Sequence, residues 1–460
     1  MQEVSRRQCP VVVSLGFQEA TLDARVLKQA RALAQNGYEV HLFCDWPKGF
    51  SQTESLDGVS IHRFDCFEIW HSSSQVFEEL DFLKECLPHI HKVYTPFVDG
   101  SETLRLLKEQ FGDAHTVLLK SYYKNLRGMD RLKNKLRHIT KRLDLRFLSL
   151  RNPRLRISNL SLERANTVQG LFYATGQARS ILFAENLLRQ RIEFKPDIIH
   201  AHDIYTLIAG VVLARKFGAK LIYDAHEYEP CRFAFDEEDQ LALLPTSLEN
   251  DAFPYVDALI TVSEPISALY EKRYFKKKPV IISNTPELKS VELDCNEPTP
   301  TISVRRHLGI SSDEKIVVFT GMIQRENRGV DKVVQALKFL NGYRFVVLGP
   351  RDRDDDAWVL SLARLQGVSS QLHLLDPVKA RDVPRAIASC DVAVVPFQAE
   401  GLNHSYAMPN KLFEAAFAGV PLCVSDLPEM RKFVASLGIG RVMDQTNPKN
   451  IADAIRDICE

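Results

Sequence analysis

The chain has 460 residues, 45% hydrophobic and 26% charged, with 59 Lys plus Arg against 59 Asp plus Glu. That length supports two or three domains with real cores, and the composition is that of an ordinary soluble globular protein. A formal net charge of zero removes any whole-chain argument for a polyanionic partner, and no stretch approaches the ~18 apolar residues of a membrane span.

Nine cysteines form no Cys-x-x-Cys pair. Several, such as Cys44, sit in apolar runs and read as buried reduced thiols, so a reducing cytosol is expected. The opening Met1-Gln-Glu-Val-Ser-Arg-Arg7 lacks the apolar core of a signal peptide. The expected location is cytoplasmic, with a peripheral position at the inner face of the membrane as a variant.

In chain order, Pro10-Val-Val-Val-Ser14 predicts a buried strand. Val26, Ala30, Leu33 and Ala34 then share one face of a helix from about Leu22 to Gln35, which Asn36-Gly37 stops. Glu39–Phe43 is the next strand, and this βαβ unit predicts a parallel sheet covered by helices. A long, mostly helical interruption follows over roughly 66–190. Between Lys120 and Arg164 fourteen Lys and Arg face only Asp130, Asp144 and Glu163, with Leu132, Leu136, Ile139 and Leu143 at helical spacing. Such a helix either lies on an anionic membrane surface or is a solvated basic face packed on its own domain. No reader motif points to nucleic acid.

The alternation resumes with a strand at Asp197–His200, a helix at Tyr205–Lys216 closed by Gly218, and strands at Leu221–Asp224, Ala258–Val262 and Val280–Ser283. Pro286, Pro298 and Pro300 mark 286–303 as a linker, so the expected domains are 1–290 and 300–460. The second series runs through strands at Lys315–Thr320, Arg344–Leu348, His373–Leu375, Asp391–Val395 and Pro421–Ser425. Its helices are Val330–Leu340 and one starting near Asn450. Two doubly wound, Rossmann-like α/β domains facing across a cleft are predicted, with ligands at the carboxyl ends of the strands.

No Gly-x-Gly-x-x-Gly follows the first strand, where Gly16 stands alone, which argues against a nicotinamide dehydrogenase. The second domain offers better anion sites. Pro409 and Gly419 bracket a helix, and its free amides favour a negative ligand. The loop before it carries Ser405 and Tyr406, and Asn410 opens the helix. Lys411 and Glu414 share a face, suited to a diphosphate and to ribose or sugar hydroxyls; the alternative is a surface ion pair of small worth. Gly321 permits close backbone approach, and Arg325 and Arg328 either grip phosphate or are solvated loop arginines.

In the first domain His200 reads as packed core. His202 and His226 follow strand ends and suit a cleft, with Asp203 and Glu227 beside them. These four mimic a metal cluster, but no helical metal spacing supports one and no metal is expected. Asp354-Asp-Asp356 similarly reads as a cap for the helix through Trp358 and Leu362.

With these residues in view, the chain resembles the GT-B-fold glycosyltransferases of family 4. In the C-terminal half the resemblance lies in Gly321 to Gly329, Val347-Leu-Gly-Pro350 and Ala388 to Pro396. Its most specific stretch is Asn410-Lys-Leu-Phe-Glu414 with Ala418-Gly-Val-Pro421 and Ser425-Asp426. In the N-terminal half it lies in Asp23 to Val40, Pro196-Asp-Ile-Ile-His-Ala-His-Asp203, Tyr223-Asp-Ala-His-Glu227, Asp257 to Ser263 and Asn284-Thr-Pro286.

The resemblance implies transfer of a sugar from a nucleotide sugar, UDP- or GDP-linked, to a glycan or lipid-linked acceptor, with retention and with no metal or further cofactor. It implies that Glu414 holds ribose hydroxyls, that Arg328 and Lys411 meet the diphosphate, and that His226, the catalytic candidate, sits in the cleft near the transferred sugar and the acceptor, with His202, Asp203 and Glu227 on the acceptor side. Three departures stand out. Tyr406 occupies the place of a second Glu, Met322 that of a phosphate-binding Arg, and the family's usual crossing-back final helix is not seen after Asn450. An epimerase of the same fold and a non-catalytic scaffold are the rival readings.

Overall fold

The computed structural model describes residues 9–66, 180–286 and 303–460, apart from a few single positions and short gaps inside these ranges. The basic stretch 120–164 and most of the 286–303 linker lie outside the described residues. The chain divides into two compact units, one formed by 1–261 with 267–280 and the other by 262–266 with 281–460.

Unit 1 is built on β1 (Val11–Leu15), α1 (Ala24–Gln35), β2 (Glu39–Asp45), β3 (Thr53–Leu56), β4 (Val59–Phe64), β5 (Ile198–His202), α2 (Asp203–Phe217), β6 (Lys220–Asp224), α3 (Leu243–Ala252), β7 (Ala258–Thr261), α4 (Glu264–Arg273) and β8 (Val280–Ile281). Its eight strands run in the order β3-β4-β2-β1-β5-β6-β7-β8. The Val-rich β1 is buried on both faces, as central parallel strands require. Asp23 caps α1 by accepting from the amides of Arg25 and Val26, which fixes where that helix starts. Gly210 lets α2 press onto the sheet, since a Cβ there would sit 2.9 Å from the Ala201 Cβ. In the register Ser14 lies opposite His200, and His202 opposite Asp224. The order reverses between β1 and β5, so these residues gather at the carboxyl ends beside that switch point.

Unit 2 contains α5 (Val304–Leu308), β9 (Lys315–Thr320), α6 (Val330–Ala336), β10 (Tyr343–Leu348), α7 (Arg353–Gln366), β11 (Leu372–Leu375), α8 (Val383–Ile387), β12 (Val392–Val395), α9 (Leu402–Ser405), α10 (Asn410–Phe417), β13 (Leu422–Ser425), α11 (Pro428–Leu437), β14 (Gly440–Met443) and α12 (Pro448–Cys459). Its sheet is β11-β10-β9-β12-β13-β14, and its pairings are parallel. Two apolar clusters flank it. One is around Val317, Phe345, Val392 and Ile451, the other around Ile316, Val346, Val395 and Leu422. Neighbouring residues of a strand feed opposite clusters, as the two-residue period dictates. This is the doubly wound arrangement, with its switch point between β9 and β12.

Three elements differ from the sequence reading. The hairpin of β3 and β4 was not anticipated, because Thr53-Glu-Ser-Leu56 is too polar to stand out and serves as an exposed edge. β14 was also missed, a short strand at the other sheet's edge. The helix expected over 330–340 tightens into a 3₁₀ turn at Leu337–Phe339. As for the cysteines, Cys44, Cys66, Cys231, Cys390 and Cys423 are buried free thiols, while Cys9 is exposed.

Candidate functional site

In unit 2, β9 and β12 release the chain side by side. Thr320 leads into Gly321, whose φ of 106° only glycine adopts readily. Val395 leads into Pro396 and the buried Phe397. The two loops are stitched together: the Gln398 amide donates to the Asn327 carbonyl at 3.0 Å, and Asn327 meets His404 at 3.3 Å. Gly329, at φ 64°, lies so close to the Pro396 carbonyl that any Cβ would collide with it. Glycine is therefore required where the loops touch.

α10 enters this corner with no side chain capping its start, leaving its first amides for a ligand. Lys411 extends its ammonium over two aromatic faces, 4.2 Å from the Phe319 ring centre and 4.7 Å from that of Phe397. The Arg328 guanidinium lies 4.4 Å from the same Phe397 ring. A Cβ on Gly321 would stand 3.5 Å from the Lys411 ammonium. Glu414 accepts from the Thr320 hydroxyl at 3.2 Å, which fixes its carboxylate beside the end of β9. Gly321, Arg328, Lys411 and Glu414 are thus brought together at the switch point.

The other donor-side expectations fare differently. Asn410 is exposed at the first helical position, and Tyr406 is half-buried at the end of α9. The Ser405 hydroxyl is spent on the Gly401 carbonyl at 3.0 Å. Arg325 is held elsewhere: it donates to the Asp354 carbonyl at 3.0 Å and rests 5.3 Å over Trp358, a stable seat for a guanidinium. The Asp-rich run beside it serves a capping box, with Asp352 accepting from the amides of Asp354 and Asp355.

Unit 1 gathers a second polar group. Asp224, fully buried, accepts from Arg25 Nη2 at 2.7 Å and Nε at 3.0 Å and from Gln29 at 2.6 Å. His202 Nδ1 lies 3.3 Å and His226 Nε2 3.6 Å from the same carboxylate, and His202 Nε2 meets the Ser14 hydroxyl at 3.1 Å. Burial raises the cost of the Asp224 charge, but His226, His202 and Arg25 outweigh it and hold its pKa well below the usual range. His226 is pulled the other way. Burial opposes its cation, yet Asp224 and Asp203 together shift its pKa upward. Burial dominates at His202 and pushes it down.

Asp203 opens α2 with φ 64°, a strained value for a side chain that is not glycine. Arg232 pins it, reaching both carboxylate oxygens at 3.3 Å as well as Glu229 at 2.8 Å and Glu227 at 3.9 Å. Of the expected acceptor-side residues, Asp203 and Glu227 retain some exposure, as does His226, the expected catalytic residue. His202 is a correction: it ends β5 with 1% exposure, out of a ligand's reach, and its ring nitrogens face Ser14 and Asp224. Sequence reasoning missed Ser14, Arg25, Gln29, Asp224 and Arg232. A buried Arg in α1 and an Asp ending β6 were the only signals, and neither carries meaning until the strands align them.

His200, His202 and Asp224 are spaced as three ligands of one metal ion would be. Their chemistry does not suit it. The carboxylate they would share already accepts from Arg25 and Gln29, and a guanidinium at 3.0 Å repels a second cation.

Two family models match the chain: "Glycosyl transferases group 1" over 314–460 and "Glycosyltransferase Family 4" over 162–285. Among solved structures, sucrose-phosphate synthase from Thermosynechococcus elongatus aligns with a TM-score of 0.60 at 14% identity, covering 98% of this chain and 89% of that one. The UDP-forming α,α-trehalose-phosphate synthase from Burkholderia xenovorans gives 0.53 at 12%, covering 98% and 91%. Anabaena HepE, crystallised with UDP and glucose, gives 0.53 at 11%, covering 98% and 90%. The fold is therefore of the GT-B class.

D-inositol 3-phosphate glycosyltransferases of Mycobacterium bovis and Mycobacterium tuberculosis are 25% identical over 256 residues, 53% of this chain and 52% of theirs. The chain spans about half the length of the curated relatives it matches. Taken together, the two models cover more than half of the chain, and the chain belongs to the GT-B glycosyltransferases of the family 4 type.

Proposed function

We propose that the protein transfers a hexose from a UDP- or GDP-linked donor to a glycan or lipid-linked acceptor, with retention at the anomeric carbon and without a metal ion. One observation carries this reading: two cations and one fixed carboxylate, Arg328, Lys411 and Glu414, meet uncapped helix amides at a topological switch point. The leaving diphosphate gains charge as the glycosidic bond breaks, so cations and amides already in place stabilise the transition state more than the ground state. Glu414 suits ribose hydroxyls. His226, with its cation favoured by two carboxylates, suits hydrogen bonding to hydroxyls of the transferred sugar, and Asp203 and Glu227 suit those of the acceptor.

The family relatives named above are glycosyltransferases, and HepE was crystallised with UDP and glucose. Both support a nucleotide sugar, with UDP tried first. Among the described residues no helix is long and apolar enough to cross a membrane. A lipid-linked acceptor therefore calls for a surface contact, for which the basic stretch 120–164 is the candidate.

The test is a thermal-shift and calorimetric screen of UDP- and GDP-sugars on wild type, Lys411→Ala and Glu414→Ala. A donor that raises the melting temperature of wild type alone supports the reading, since only ligands of the native state do so. Failure of every donor, on well-folded protein, would overturn it in favour of a non-catalytic scaffold.

A further inference from the structure

The Lys411 ammonium is stored in an unusual way. It sits against the faces of Phe319 from β9 and Phe397 from the loop after β12. The charged and titratable groups nearby come from several elements. The loop after β9 brings Arg328, a second cation on the Phe397 ring. α10 itself brings Glu414, which is engaged by Thr320. α9 brings His404, which is turned to Asn327. Arg325 is held at α7 by Asp354 and Trp358.

Removal from water weighs most on Lys411. Arg328 repulsion adds to it, and Glu414 opposes it only in part, so the amine's pKa is pulled down to about 7. An arriving diphosphate would reverse this balance by setting negative charge against both cations.

We propose that a nucleoside diphosphate binds unit 2 together with one proton, taken up by Lys411, so that affinity for the donor falls as pH rises above neutrality. The inference rests on the donor-site reading given above. The direction follows from linkage. Below the free protein's pKa the ammonium already exists and binding is at full strength. Above it, the amine must first be protonated, and affinity drops by up to about tenfold per pH unit until the pKa of the complex is reached. The proton comes from solvent and returns there when the nucleotide leaves. The device places Lys411 as a cation delivered on demand in a site where Met322 supplies none. An ammonium can play this part and a guanidinium cannot, because a guanidinium stays charged throughout.

The experiment is calorimetry of UDP and of GDP between about pH 7 and pH 9, where the terminal phosphate (pKa about 6) is already ionised. Each titration is run in two buffers of different ionisation enthalpy, which reports proton uptake directly. Wild type is expected to take up most of a proton near pH 8 and to lose affinity about tenfold per unit. Lys411→Arg is expected to bind with no uptake and a flat profile, and Lys411→Met to bind weakly, also flat. A wild-type affinity that holds constant over this range would overturn the inference and leave the donor site standing. So would uptake that persists in Lys411→Arg, which would assign the proton to another group. If neither UDP nor GDP binds wild type at all, the donor-site reading falls and takes this inference with it.

Discussion

The two polar groups at the two switch points have opposite electrostatic character. In unit 1 the charges of the polar group are largely answered from within: Asp224 by Arg25 and two histidines, and Asp203 and Glu227 by Arg232, while burial and its carboxylate neighbours hold the pKa of Glu229 well above the usual range. In unit 2 two cations share one phenyl ring, and among the described residues Glu414 is the carboxylate that favours the Lys411 charge. A network that closes on itself holds side chains in place and fixes their protonation. A site left out of balance gains stability only when an anion arrives. On the function proposed above, the first arrangement positions and the second binds.

That contrast predicts where substitutions do their damage. The largest effect is expected from Asp224→Ala, which removes the buried carboxylate shared by Arg25, Gln29 and two histidines and should cost about 3–5 kcal/mol in denaturant titration. Nucleotide affinity should stay within about twofold of wild type, because the change lies in the other unit. A comparable loss of nucleotide binding would erase the contrast.

Glu249 tests the same unit through pH. It is buried among tyrosines rather than cations, accepting from Tyr270 at 2.8 Å and Tyr223 at 3.2 Å, and burial raises its pKa to about 8. The folded protein then keeps a proton that the unfolded chain releases. Stability should therefore fall as pH rises from about 4.5 to about 8, and level off beyond, by up to a few kcal/mol. Glu249→Gln should remove that slope, and a slope unchanged in the variant would assign it to other groups.

Lys411→Met is the converse of Asp224→Ala. At about pH 6.5, where the ammonium is formed, it should weaken UDP binding by about 1.5–3 kcal/mol, with stability unchanged or slightly raised since an unpaired charge is removed. A large loss of stability instead would make Lys411 structural. The smallest effect is expected from Asp352→Ala. It breaks a capping box and should lower stability by about 1 kcal/mol with no effect on ligand binding. Were nucleotide binding also lost, the acidic run before Trp358 would have to be reassigned from cap to site.

Much of this was legible in the chain itself. Apolar runs such as Lys315–Thr320 and Val392–Val395 specify central strands, because a strand buried on both faces needs unbroken hydrophobicity. Gly218 marks a helix end through a left-handed cap. Lys411 and Glu414 announce themselves by spacing on one helical turn. The polar edge strands β3 and β14 were not legible, since a short strand with little buried surface has no pattern to show.

Local periodicity and end signals are properties of a few consecutive residues, so the sequence alone determined the parallel α/β layers, the family and the donor-side helix. What Lys411 faces was decided elsewhere, by Phe319 arriving on β9 and Phe397 in the loop after β12. The partner of His202 and His226 was decided by the register that sets Asp224 beside β5 and by Arg25 reaching in from α1. Charge balance at a point in space sums over residues nearly two hundred positions apart, and only the folded chain performs that sum.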